Sequence, residues 1–173
     1  SSSEIVQLWR DINDWVKQYH DGGSTCSGFT WREGEWRVLN SGDSRTYIID
    51  SVSETIIFKT QDHKPDSEVD RISAMGGLVM NGRIGGTLGV SRGFGDKWHV
   101  GVIPDPDITM LYDGDLAVSV SDGVTGALCD EEILSVVLSS DHGDSANALI
   151  SHAKMKGVED NVVAVVGELG LKR

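Results

Sequence analysis

The chain has 173 residues, 39% of them hydrophobic, which is enough for one core and too short for two comfortable domains. Fifteen Lys and Arg stand against twenty-seven Asp and Glu, a formal charge of −12. This excludes a basic nucleic-acid binder and suits cation binding or a well-solvated acidic surface.

The first element in chain order is a helix. Ile5, Trp9, Ile12, Val16 and Tyr19 recur at helical spacing, Ser1 and Glu4 form a candidate capping box, and Gly22-Gly23 supplies the stop. Its acidic residues exclude a signal peptide, and no apolar run in the chain approaches the roughly 18 residues of a membrane helix. STCSGFTW and EWRVLN read as a hairpin through Glu33-Gly34, and RTYIID and TIIFK as two further antiparallel strands. Asp66 or Ser67 is expected to cap a short helix, SEVDRISAM, that ends at Gly76-Gly77.

The glycine-rich stretch GGTLGVSRGFGD follows, with too few periodic apolar residues for a helix. ITMLY and LAVSVS read as strands, EEILSVVLSS and SANALISHAKM as helices, and NVVAVVGEL as a closing buried strand. Strands followed by helices, without strict alternation, predict α+β layers with mostly antiparallel sheets, and residues 1–173 read as a single domain. Cys26 and Cys129 make neither a disulfide framework nor a metal-ligand spacing, so both are expected as reduced thiols of an intracellular protein, cytoplasmic or nuclear.

Two constellations carry candidate chemistry. Gly89-Val90-Ser91-Arg92-Gly93 matches the G-x-S-x-G elbow of many serine hydrolases, with Asp122 or Asp141 and then His142 or His152 in the right chain order. The glycines and prolines after Ser91 oppose the helix that an elbow requires. The second constellation is a set of aspartates at loop positions beside apolar strands: Asp43 in Asn40-Ser41-Gly42-Asp43-Ser44-Arg45, Asp122 in Ser121-Asp122-Gly123, and Asp160 in Asp160-Asn161. Carboxylates without cysteine or a histidine pair suit hard Mg²⁺ or Mn²⁺ better than Zn²⁺, although Asp-Gly and Asp-Asn are also ordinary turn residues.

The order of motifs resembles that of the metal-dependent protein phosphatases of type 2C. Gly23-Ser24-Thr25, Asn40 to Arg45, Thr60-Gln61-Asp62-His63-Lys64-Pro65, Arg71-Ile72, Gly76-Gly77, Gly82-Arg83-Ile84, Leu88 to Asp96, Pro104-Asp105, Ser121-Asp122-Gly123 and Asp160-Asn161 stand in the family's sequence. The resemblance implies a four-layer α-β-β-α sandwich with antiparallel sheets. It implies hydrolysis of phosphoserine and phosphothreonine on a phosphoprotein substrate or signalling partner, by water held between two Mg²⁺ or Mn²⁺ ions. It also implies that Asp122 and Asp160 are ligands of the two main metals and that Asp43 is a ligand of a weaker third.

The same resemblance makes Ser91 a turn-shaping residue, Arg92 a clamp on the sheet edge or on a nearby acid, and His63 structural. The family's metal-bridging aspartate, acid histidine and phosphate-binding arginine belong to motifs with no counterpart here, so no catalytic residue is assigned. Gly126 stands where the family usually carries a further acid, and the segment from Asp96 to Pro104, beside the family's active site, is short. Two expectations follow. The chain is the C-terminal larger part of a phosphatase whose N-terminal strands lie in the same or an associated polypeptide, or it is a phosphatase-like binding or regulatory module that cannot hold two metals.

Overall fold

The computed structural model of the chain describes residues 2–141 and 143–169. It opens with α1 (Ser2–Tyr19) and continues through β1 (Gly23–Ser24), β2 (Cys26–Arg32), β3 (Glu35–Ser41), β4 (Arg45–Asp50) and β5 (Thr55–Lys59). A 3-10 turn (Pro65–Glu68) leads into α2 (Val69–Ala74), then β6 (Val79–Met80), β7 (Arg83–Ile84) and β8 (Phe94–Gly95). The remainder is β9 (Asp107–Leu111), β10 (Leu116–Val120), α3 (Asp122–Thr125), α4 (Asp130–Ser139), α5 (Ser145–Met155) and β11 (Ala164–Glu168). The ladders β1–β8, β4–β5, β4–β10, β10–β11 and β6–β7 are antiparallel, which with the helices gives the expected α+β class. Among the described residues no helix is long and apolar enough to cross a membrane.

The residues gather into two compact units: one comprises residues 1–26, 39–43 and 61–108, the other residues 27–38, 44–60 and 109–173. In the first, α1 rests on β8, with the Trp9 ring 5.0 Å from that of Phe94. The buried residues of α1 are Trp9 and Asn13, whereas Ile12 and Tyr19, expected on the inner stripe, are exposed. A polar residue enters the stripe because the Gly95 N–H needs an acceptor, and Asn13 Oδ1 supplies it at 2.9 Å. Leu8 and Trp15 join Ile12 and Tyr19 on the exposed side, and Ser1 of the expected capping box lies outside the described residues.

A small core of Ile72, Ile84 and Val102, packed by Val79 and Leu88, holds α2 in the first unit. Neither Asp66 nor Ser67 caps this helix. Its N-cap is Glu68, without a side-chain cap bond, and the Ser67 hydroxyl instead donates to the Lys64 carbonyl at 2.7 Å. Glu68 is committed elsewhere. Its Oε1 accepts from Arg92 Nε (2.9 Å) and Nη2 (2.6 Å), and its Oε2 from Arg71 Nη2 (2.9 Å) and the Ser91 hydroxyl (2.5 Å). Arg71 also donates to the carbonyls of Ser91 and Gly101, and Arg92 reaches Asp107 at 3.0 Å. One half-buried carboxylate thus ties together the start of α2, the serine-arginine turn and the start of β9.

The second unit is built on a four-stranded sheet in the order β11-β10-β4-β5. Side chains alternate across it with the period of two that strands impose. Tyr47, Ile49, Leu116, Val118 and Val120 enter one core with Val124, Ile133, Val137, Leu149 and Ala153 of α3, α4 and α5. Ile48 and Ala117 face the other way and pack with Trp36 and Val38. Those last two residues belong to β3 in the sheet β2-β3-β9. The β2–β3 hairpin turns at Glu33 (φ 55°) and Gly34 (φ 86°), the two positive dihedrals that a tight hairpin of this twist demands. The closing strand is shorter than the expected NVVAVVGEL. It covers Ala164–Glu168 at the sheet edge, with Val163 and Val165 more than half exposed, because the helices cover only one of its faces.

The Glu68 carboxylate gives a measurable pH dependence. Burial alone would raise its pKa, but bonds from Arg92, Arg71 and Ser91 outweigh burial and lower it to about 2 from 4.5. Because the folded value is the lower one, its stabilisation is complete above about pH 4.5 and is lost as pH falls through 2. Glu68→Gln should cost about 2–4 kcal/mol at pH 7, since it strands two guanidinium groups. In urea melts the gap between wild type and Glu68→Gln should narrow steadily below pH 4.5. A gap constant from pH 7 to pH 3 would show that the charge on Glu68 contributes nothing.

Candidate metal-binding turns

Strand β10 delivers Asp122 to its position. Its last residues pair with β11, Val120 opposite Ala164, and the chain then turns at Ser121 into α3, whose first residue is Asp122. Ser121 closes the gap between this turn and the one before β11. Its N–H donates to the Val163 carbonyl at 3.0 Å, its hydroxyl donates to the Asn161 carbonyl at 3.1 Å, and the same oxygen accepts from the Val163 N–H at 3.0 Å. Gly123 completes the contact by having no side chain. A Cβ there would fall onto Asn161 O, 3.1 Å from Asn161 C and 3.5 Å from the Asp160 Cβ. Asp160 is shaped locally, its Oδ1 accepting from the Asn161 N–H at 2.7 Å. The structure therefore brings Asp122 and Asp160 together at one end of the β10–β11 ladder.

Asp43 belongs to the first unit. It follows Gly42, whose backbone is gripped from both sides by His63. The Gly42 N–H donates to His63 Nδ1 at 3.1 Å, and the Gly42 carbonyl accepts from the His63 N–H at 2.9 Å. Asn40 Nδ2 adds bonds to the carbonyls of Gly42 (3.3 Å) and Gln61 (3.1 Å). With φ of 116°, Gly42 occupies a conformation that a side chain would strain, and a Cβ would also collide with Thr25. Asp43 itself is only 8% exposed, and its Oδ2 is bound by the Lys64 ammonium.

His63 is structural, as the sequence implies. Since Nδ1 accepts a bond, the proton sits on Nε2, which faces Asp107 Oδ2 at 3.2 Å. Burial, followed by the nearby Arg92 charge, pushes the imidazole below its usual pKa despite Asp107. A ring held at both nitrogens and 5% exposed is a strut for the Gly42 turn.

The hydrolase elbow is excluded. Ser91 is fully buried, its hydroxyl is spent on Glu68, and its N–H donates to the His63 carbonyl at 3.0 Å. No helix follows it before α3. His142 of the corresponding triad lies outside the described residues, and His152 bonds its own helix through the Ala148 carbonyl at 2.8 Å. Arg92 clamps an acid as expected, and that acid is Glu68. Three contributors were not singled out from the sequence: Glu68, Lys64 and the Ser121 hydroxyl. Lys64 and Ser121 sit inside motifs already quoted, whereas nothing in the local pattern around Glu68 marks it.

The chemistry of the donors decides which cation fits. Asp122 and Asp160 offer carboxylate oxygen with no sulfur or imidazole beside them, the ligand type of Mg²⁺ or Mn²⁺. Among the described residues no group of three His, Cys, Asp or Glu side chains is placed to hold a metal ion. The donor type of the pair suits a hard cation, and an ion held there would take most of its ligands from water. Gly126 at the end of α3 adds no carboxylate and uses its N–H on the Asp122 carbonyl at 2.7 Å.

With this geometry in place, comparison with known proteins is informative. Residues 9–162 match the protein phosphatase 2C family. Probable protein phosphatase 2C 69 of Arabidopsis thaliana is 36% identical over 156 residues, covering 84% of this chain and 44% of that protein. Probable protein phosphatase 2C 76 of Arabidopsis thaliana is 32% identical over 158 residues, 86% of this chain and 37% of that protein. The chain therefore spans less than half the length of either relative. In three dimensions it is similar to a phosphatase from a pathogenic strain of Toxoplasma gondii, with a TM-score of 0.78 at 18% identity over 97% of this chain and 74% of that one. The fold is shared with a known phosphatase structure, and the chain belongs to the protein phosphatase 2C family.

Proposed function

We propose that this chain supplies part of the catalytic domain of a metal-dependent protein serine/threonine phosphatase, acting on phosphoserine or phosphothreonine in a protein substrate. The observation that carries the reading is the locked pair of turns at Ser121-Asp122-Gly123 and Asp160-Asn161. The missing Cβ at Gly123 and the doubly bonded Ser121 hydroxyl serve no hydrophobic purpose, yet they lock the two aspartate-bearing turns against each other. Asp122 and Asp160 would each hold one Mg²⁺ or Mn²⁺. Two such ions lower the pKa of bound water and brace an in-line attack on phosphorus. The chain's own part is to orient the two carboxylates and keep their turns from moving.

A second reading, a phosphatase-like binding or regulatory module, is favoured by one observation. Two clustered carboxylates fall short of the six or so oxygens that a hard cation normally takes. Turnover separates the two readings. Mn²⁺-dependent hydrolysis of a phosphopeptide should be measured on the chain alone and on the chain joined to the preceding segment of a 2C relative. Feeble turnover alone and restored turnover in the fusion support the phosphatase. No turnover in the fusion at saturating Mn²⁺ supports the binding module.

In an active form, Asp122→Asn or Asp160→Asn should lower kcat/KM by about 100-fold or more, since each removes a direct metal ligand. Ser91→Ala should cost no more than a few-fold in activity and about 1 kcal/mol in stability, the worth of its bond to Glu68. Gly123→Ala should weaken Mn²⁺ binding by about tenfold or more while circular dichroism keeps its folded shape, because the methyl must push Asn161 aside. Unchanged Mn²⁺ affinity in Gly123→Ala would remove the turn pair from the metal site.

A further inference from the structure

The remaining acid of the expected metal set is held by a side-chain cation. Asp43 is 8% exposed, and its Oδ2 is bound by Lys64, whose own side chain is about half exposed. Two backbone oxygens of this turn and its neighbour are committed as well, whereas the buried Asn40 Oδ1 and Ser41 Oγ have no partner among the described residues. The Gly42 carbonyl already accepts from the His63 N–H and from Asn40 Nδ2, and the Gln61 carbonyl accepts from the same amide. The backbone that carries Asp43 is fixed by the His63 ring, which Asp107 holds from the far side.

We propose that the Lys64 ammonium is the resident cation of Asp43, so that Asp43 serves as the anchor of an internal ion pair and takes no divalent metal. The inference deepens the phosphatase reading and rests on it for the expectation of a third ion. One feature carries it: a divalent cation at Asp43 would have to displace a covalently tethered positive charge before it could gather its six or so oxygens.

Tethering decides the competition. A side chain one bond path away presents its charge at high effective concentration, whereas a metal ion must be drawn from dilute solution. Lys64 also leaves the net charge of the turn neutral without the geometric demands of a coordination shell. The pair thereby keeps the Asn40–Asp43 turn closed whatever the divalent-ion concentration.

Carboxyl ¹³C NMR of the full chain during a Mg²⁺ titration tests this without any substitution. The Asp43 carboxyl signal should stay in place while those of Asp122 and Asp160 move. Movement of Asp43 in the unsubstituted protein would overturn the inference. A still Asp122 would count against the phosphatase reading alone, because that reading places the ion there. In Lys64→Gln, checked for folding by circular dichroism, Asp43 should begin to respond to Mg²⁺, and a Mn²⁺ bound in that variant should be lost again in Lys64→Gln/Asp43→Asn. A folded Lys64→Gln in which Asp43 ignores both ions would overturn the proposal, since something other than the ammonium would then exclude them. If Lys64→Gln fails to fold, the titration of the unsubstituted chain decides, with Lys64→Arg, which keeps the cation, expected to leave Asp43 equally silent.

Discussion

A carboxylate removed from water must be met by positive charge and hydrogen bonds, or it will not stay ionised. Glu68 meets this demand with two arginines and a serine drawn from two separate stretches of chain, and the arrangement of the first unit follows from where those partners must stand. Arg92 extends the chain of contacts to Asp107, Asp107 faces His63, and His63 grips the backbone of Gly42. A single half-buried charge therefore reaches, through alternating acids and bases, to a turn twenty-six residues earlier in the sequence. The fold uses polar contacts as a frame here because the apolar core of this unit is small, with Ile72, Ile84 and Val102 at its centre.

The second unit is organised by the opposite means. β10 is buried along its whole length, and the alternation of its side chains between two apolar clusters leaves the sheet no freedom of register. Rigidity in the strand is what makes the turn at its end useful. A loop can hold a carboxylate to a fraction of an ångström only when the element behind it cannot slide, and Asp122 stands two residues after Val120, where the ladder ends.

Legibility in the sequence tracked this division. The Glu33-Gly34 hairpin and the two helices after Cys129 could be read because local pattern and burial coincide, whereas α1 could be read as a helix but not for the face it buries. The aspartate turns were visible as motifs, and the structure explains the pairing of Asp122 with Asp160 through a hydroxyl and an absent methyl that motif reading cannot supply. The cap of α2 and the inner stripe of α1 were misread for one reason. In each case a polar side chain, Glu68 or Asn13, answers a distant partner, so its role is set by contacts across many residues and no window of sequence contains it. The closing strand was overextended because an apolar run does not reveal that it will lie at a sheet edge.

The glycine at 123 has a consequence of a genetic kind. Every missense change from a glycine codon by one base introduces at least a Cβ, and at this position even that atom has no room against Asn161. Neighbouring surface positions can drift through many residues at little cost, whereas this one has no accessible substitute that preserves the turn. Selection on the geometry of the paired turns would therefore act on Gly123 nearly as strictly as on the aspartates themselves, although the residue has no side chain of its own.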